Sequence, residues 1–368
     1  MGAYLSAPVT HKDHFEGSSE DVIYGGASMQ GWRRTMEDAH IATVQLGGAP
    51  GAAMFGVFDG HGGSEVAKFC QVYMADELTK SRNYSEGKMH ESLVDVFHRM
   101  DLMLQDERYL KALSASEDTS NKQQGDGSQN SGPLEKVRQI LEIHRARRTG
   151  KPGTSSPTLE ATAADASVES TEPIPEGASP AAVAQSQAGC TAVVAVLHGN
   201  DLYVANAGDS RAVLSRGGQA CALSEDHKPG QEGERSRIMA AGGFLSNIGG
   251  VTRVNGNLNL SRAIGDLKYK TNSGLPANEQ IITAEPDVKH VALTAEDSFF
   301  VLACDGVWDV MTNQQACDFV SQRIDQKDLK AIAGELLDAC LASSPSETHG
   351  IGCDNMTAII IKLKHAAA

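Results

Sequence analysis

Two strand-length apolar runs in this chain each end on a carboxylate followed by glycine. Met54–Phe58 opens onto Asp59-Gly60-His61-Gly62-Gly63, and Phe299–Cys304 opens onto Asp305-Gly306-Val307-Trp308-Asp309. Acidic residues keep similar company elsewhere. Glu37-Asp38 follows Gly31–Met36, Asp209 sits in Ala207-Gly208-Asp209-Ser210-Arg211, and Asp354 lies in Gly352–Thr357 just before the last apolar stretch. Carboxylates at the ends of buried strands are costly unless positive charge meets them. Three neutralisers are open: Arg or Lys, protons, or a metal ion. Arginine is scarce beside most of these motifs, and carboxylates gathered without a cation drive one another's pKa values up. A divalent metal resolves both problems. Oxygen ligands without a Cys pair or His cluster suit Mg²⁺ or Mn²⁺ rather than zinc or copper. The glycines beside Asp59 and Asp305 let backbone approach, so a glycine carbonyl could itself ligate. Taken singly, each Asp-Gly is more often a hairpin turn. His61 alone reads as a surface histidine, and Asp209 alone as a cap for the turn before Arg211. Their joint order carries the information.

The rest of the chain supplies a scaffold. Its 368 residues, 40% apolar, suit one large domain with an insertion. From about Ser114 to Gln187 the sequence fills with Ser, Thr, Ala, Gly, Pro and Gln. Such a segment has little to set against chain entropy, apart from an island with Leu134, Val137 and Leu141 at helical spacing. Ser64 is placed to cap a helix running to Leu78, and Met89–Leu113 reads as a second amphipathic helix. A meander is expected over Thr191–Leu197, Leu202–Ala207, Ser210–Leu214 and Gln219–Leu223. Ser298–Cys304 and Met356–Lys362 read as further strands. Thr312–Gln315 opens a helix with a capping box, and Leu329–Cys340 is another. Strands cluster without βαβ alternation, which predicts an α+β fold of antiparallel sheets with helices outside.

Composition excludes several functions. The net charge of −15 argues against non-specific nucleic-acid binding. The seven cysteines are scattered without a CxxC pair, which suggests neither a disulfide framework nor a zinc knuckle. No apolar run approaches the roughly 20 residues of a membrane span. No secretory signal is evident. Met1-Gly2-Ala3-Tyr4-Leu5-Ser6 fits the N-myristoylation pattern. One acyl chain would give reversible membrane contact only.

Read in order, the motifs resemble the metal-dependent protein phosphatases of type 2C, the PPM family of serine/threonine phosphatases. The resemblance rests on RRTMEDAH (Arg33–His40), FDGHGG (Phe58–Gly63), GDSR (Gly208–Arg211) and DHKP (Asp226–Pro229). It continues through LSRAIGD (Leu260–Asp266), DGVWD (Asp305–Asp309) and Asp354-Asn355. It spans Tyr24 to Leu363 apart from the insertion. It implies two packed antiparallel sheets flanked by helices, an αββα sandwich. The implied domain covers residues 23–365, interrupted at about 114–187, after an N-terminal segment 1–22.

By position, the resemblance implies that Asp59 bridges two Mg²⁺ or Mn²⁺ ions. Glu37, Asp305 and Asp354 would complete one, and the Gly60 carbonyl with waters the other. A weaker third ion would involve Asp209 and Asp309 with Asp305. Asp38 would orient ligands or water from behind, Arg33 would hold the phosphoryl group, and His61 would protonate the leaving oxygen. Phosphorylated proteins are the implied substrates, and in-line attack by water needs no phosphoenzyme. Arg262 and Asp266 are expected to form a stabilising pair or network. Gly242–Asn257 is expected to be a hairpin flap, with Trp32 and Trp308 packed under the site. The expected state is a monomer in the cytoplasm, extending to the nucleus, or to membranes if Gly2 is acylated. The chain is also expected to lack the C-terminal extension of some relatives. A rival reading is a phosphatase fold kept only as a binding module, against which all four acidic ligands are present. Nucleotide binding fails for want of a GxxxxGK[ST] loop.

Overall fold

The computed structural model describes residues 4–48, 51–106 and 188–364. Successive side chains of a strand face opposite ways, so an unbroken apolar run needs cover on both faces. Strand Asp297–Ala303 has it. Phe299, Val301 and Ala303 meet Cys317 and Val320 of helix Asn313–Ser321 and Leu336 and Leu337 of helix Leu329–Cys340. Phe300 and Leu302 turn the other way, onto Phe55, Val57, Val193 and Val204 of a second sheet. Strand Met356–Leu363 repeats the division, with Ile360 toward the helices and Ile359 and Ile361 between the sheets. Burying each such phenylalanine contributes roughly 1.5–3 kcal/mol, so this double-faced core dominates the fold's stability.

The first sheet has six strands in the order Tyr4–Ser18, Val22–Arg33, Met356–Leu363, Asp297–Ala303, Arg211–Arg216 and Gln219–Ala222. The second has five: Asp287–Ala292, Asp201–Ala207, Ala192–His198, Ala52–Phe58 and Ala39–Thr43. Every neighbouring pair in both is antiparallel. Helices Glu65–Lys80 and Met89–Leu104 pack against the second sheet. The expected αββα sandwich is therefore present. The Thr312 capping box forms as the sequence indicates, Gln315 N–H donating to Thr312 Oγ1 and Thr312 N–H to Gln315 Oε1. Ser64 precedes its helix without a side-chain cap. None of the seven cysteines is in a disulfide, and among the described residues no helix is long and apolar enough to cross a membrane.

Two expectations change. Residues 1–22 were expected to precede the domain, yet Tyr4–Ser18 is the edge strand of the first sheet, with Phe15 opposite Gly26 and Ser18 opposite Ile23. It is polar because one face meets solvent and few side chains anchor it. Phe15 stacks on His40 at 3.7 Å, and Lys12 pairs with Asp338 at 2.7 Å. The meander is also split, its first two strands in the second sheet and its last two in the first, with the chain crossing over at Gly208-Asp209-Ser210. The chain divides into one unit, Met1–Gln105 with Val183–Ala368, and another, Asp106–Ala182. The whole of the expected insertion, with its helical island, and Gly2 lie outside the described residues.

Candidate metal centre

The strand ends deliver the carboxylates to one place. Pairing of Ala39 with Phe58 sets Asp38 beside Asp59. Pairing of Ala303 with Ala358 brings Asp305, at the start of the short helix Asp305–Trp308, toward the segment Asp354–Met356. Asn355 fastens the Arg33–Asp38 loop to that segment. Its Oδ1 accepts from Glu37 N–H at 2.8 Å, and its Nδ2 donates to the Gln30 and Thr35 carbonyls at 2.9 Å each. Gly60 must be glycine here, because a Cβ would lie 2.3 Å from the Glu37 carbonyl oxygen.

The result is a cavity of about 260 Å³ lined by Arg33, Glu37, Asp59, Gly60, His61, Asp209, Asp305 and Asp354, with Leu258–Leu260 on one side. The segment Leu258–Leu260 follows a hairpin of Leu245–Ile248 and Val251–Val254, the flap expected from the glycines around it. Asp38 lies buried beneath, accepting from Thr357 Oγ1 at 2.7 Å and from Cys304 Sγ at 3.4 Å. Asp309 does not line this cavity. It borders another one beside Trp308 and Arg211, because the helical turn after Asp305 carries it outward. Both tryptophans pack as expected, Trp32 Nε1 donating to the Ala342 carbonyl and Trp308 Nε1 to that of Ala303.

Electrostatics single out the same residues. Burial, then Asp305, Asp38, Asp354 and Asp209, hold the Asp59 carboxyl well above the usual carboxylate range. Burial, then Asp209, Asp354 and Asp309, do the same to Asp305 against the opposing charge of Lys228. Burial pushes Asp38 up to about 7, although Thr357 donates to it. Among the described residues no basic side chain forms an ion pair with Asp59 or Asp305, and Asp38 Oδ1 is buried with no hydrogen-bond partner. Carboxylate and carbonyl oxygens around uncompensated negative charge fit a hard cation. Oxygens of Asp38 and Asp59 and the Cys304 sulfur all lie within 4.8 Å of one another. That thiol is already engaged, donating to Asp38 and accepting from Thr357 N–H at 3.2 Å, so it packs the site instead of ligating.

Other side chains are held by partners the sequence hid. Arg33 Nη2 donates to Asp354 Oδ2 at 2.5 Å, and Lys228 Nζ to Asp209 Oδ2 at 2.5 Å. Lys228 belongs to the quoted DHKP motif, but nothing in a lone lysine signalled an acidic partner 19 residues away. Arg262 and Asp266 are not a pair. Arg262 binds Glu234 and Asp287, while Asp266 Oδ2 lies 2.6 Å from His61 Nε2. Burial disfavours the His61 cation, but the Asp266 carboxylate outweighs it and raises the imidazole's pKa.

Comparison with known proteins agrees with this geometry. A family model for protein phosphatase 2C matches residues 22–125 and 122–348. The "Probable protein phosphatase 2C 11" of Oryza sativa subsp. japonica is 43% identical over 365 residues, covering 99% of this chain and 91% of that protein. The "Probable protein phosphatase 2C 60" of Arabidopsis thaliana is 42% identical over 366 residues, covering 99% and 93%. Among solved structures, the serine-threonine phosphatase 2C from Toxoplasma gondii superposes with a TM-score of 0.60 at 20% identity. It covers 96% of this chain and 99% of that one, which shows a shared fold. The chain belongs to the protein phosphatase 2C family, the serine/threonine protein phosphatases to which its motif order points.

Proposed function

We propose that this phosphatase hydrolyses phosphoserine and phosphothreonine in proteins with Mg²⁺ or Mn²⁺, two ions per site and a weaker third, and without a phosphoenzyme. The observation that carries this reading is the pair of carboxylates, Asp59 and Asp305, which face one small cavity beside Arg33 and His61 and have no basic ion-pair partner among the described residues. Glu37, Asp59, Asp305, Asp354 and the Gly60 carbonyl would hold the ions. Asp209 would belong to the third, with Asp309 contributing from the rim. When bound, such ions supply the charge that acidifies a water molecule and screens the phosphoryl oxygens.

The chain's own residues do the rest. The Arg33 fork suits two phosphoryl oxygens, and its tie to Asp354 sets it at the cavity edge. Asp38, buried below and held by Thr357, would orient ligands or water. His61 gives its proton to the departing serine or threonine oxygen, a contribution of about 10²- to 10⁴-fold. Phosphorylated proteins are the partners. A cytoplasmic monomer, with reversible membrane contact if Gly2 is acylated, completes the proposal. Turnover of p-nitrophenyl phosphate and of a phosphothreonine peptide is expected with Mn²⁺ and abolished by EDTA. Absence of metal-dependent turnover would leave a binding scaffold.

A further inference from the structure

We propose that Asp266 is the positioning residue for His61, anchoring Nε2 so that Nδ1 is the ring nitrogen presented to the phosphate ester. The inference rests on the phosphatase reading above and adds a residue to it.

A small three-stranded ribbon builds the pair. Gly189-Cys190 lies between Gly60-His61 and Ile264-Gly265, and Gly189 is the register partner of both His61 and Gly265. Asp266 follows Gly265 directly, and its N–H donates to the Ala188 carbonyl at 3.0 Å. Gly189 leaves room for the contact, since a Cβ there would lie 2.4 Å from Asp266 Oδ2 and 2.7 Å from His61 Nε2. The ribbon is fixed from behind. Gly265 N–H donates to Asp101 Oδ1 at 2.7 Å, and Lys270 Nζ donates to Asp101 Oδ2 at 2.5 Å.

Asp266 has no evident structural task of its own. It precedes the 3₁₀ turn Leu267–Tyr269 but makes no side-chain cap to it. It is fully buried, its Oδ1 has no hydrogen-bond partner, and its backbone is left-handed at φ 50°. A buried carboxylate with one bare oxygen on a disfavoured backbone is costly. Among the described residues, the side-chain group that meets it within hydrogen-bond distance is the His61 ring.

With Nε2 held, Nδ1 hands its proton to the serine or threonine oxygen as the P–O bond breaks and the bonding pair passes to that oxygen. The ring regains a proton from solvent, and Asp266 takes no part in the proton transfer. Without the anchor the ring turns away from the ester, and only substrates that need a proton suffer.

The test compares wild type, His61→Ala, Asp266→Asn and the double variant at saturating Mn²⁺, on a phosphothreonine peptide and on p-nitrophenyl phosphate. Asp266→Asn should lower kcat on the peptide by about 10- to 100-fold, and on the aryl ester by less than about 3-fold, with KM nearly unchanged. The double variant should be no slower than His61→Ala. Equal losses on both substrates, or losses that multiply in the double variant, would overturn the inference. Thermal unfolding checks the fold. If the Asn variant is unstable, Asp266→Gly, which suits the left-handed backbone, must give the same pattern. A wild type without Mn²⁺-dependent turnover would sink the phosphatase reading itself. A normal wild type and a leaving-group-selective His61→Ala beside a silent Asp266→Asn would sink this inference alone.

Discussion

Arg33 Nη2 lies 2.5 Å from Asp354 Oδ2, so the guanidinium suited to the phosphoryl group is tethered to a carboxylate of the proposed metal cluster. Under the proposed function, substrate binding and metal binding would therefore share a contact. Arg33→Ala should lower kcat/KM by about 10- to 100-fold, mainly through KM, because a charge-assisted fork is lost. Arg33→Lys should restore little, since an ammonium cannot span two oxygens. Asp354→Asn should weaken Mn²⁺ binding and raise KM together, which steady-state kinetics over a Mn²⁺ series will show.

Asp59 and His61 stand two residues apart with unequal tasks. His61→Ala should keep measurable turnover and be least impaired on an aryl phosphate, whose leaving group needs no proton. Asp59→Asn, which would remove the carboxylate proposed to serve both ions, should lose more than the roughly 10⁴-fold expected for a lost general acid on either ester. Equal damage by His61→Ala on aryl and alkyl esters would refute its role as the acid.

Protons and cations compete for the same oxygens. Asp38 is pushed up to about 7 by burial, and Asp59 and Asp305 are held higher than usual as well. A carboxyl raised in the fold penalises the folded state as pH climbs past its unfolded value of about 4 and toward its folded one. The metal-free protein should therefore lose thermal stability between pH 5 and pH 8, and saturating Mn²⁺ should remove that loss. Mn²⁺ affinity should rise over the same interval, because binding expels protons. Calorimetric titrations at several pH values measure both slopes.

Glu234 titrates with the opposite sign. Despite burial, Arg262, Ser261 and Arg237 hold it at about 2. Its contribution is complete above the unfolded pKa of about 4.3 and is lost as pH falls through about 2. Glu234→Gln should destabilise by on the order of 3 kcal/mol at pH 7, with about half that difference remaining at pH 3. Urea unfolding at the two pH values reads it directly.

Much of this was legible because the site is built from strand ends, where an apolar run meeting Asp-Gly is visible locally. Met54–Phe58 and Phe299–Cys304 announced both the sandwich core and the carboxylates beyond it. Relations across the fold were not visible. Tyr4–Ser18 carries too few apolar residues to read as a strand, because an edge strand with a solvent face needs few. Arg262 and Asp266 sit at a spacing that invites pairing, but the turn at Gly265 sends them to different partners. Asp309 sits in the same short motif as Asp305, but a helical turn rotates it out of the cavity.

The most direct measurement is the stoichiometry of Mn²⁺ bound to the purified, metal-stripped protein, by calorimetry and by electron paramagnetic resonance, in wild type and Asp59→Asn. Two tightly bound ions per chain, both lost in the variant while its fold persists, is the expected result. A wild type that binds no Mn²⁺, or an Asp59→Asn variant that binds it equally well, would contradict the account.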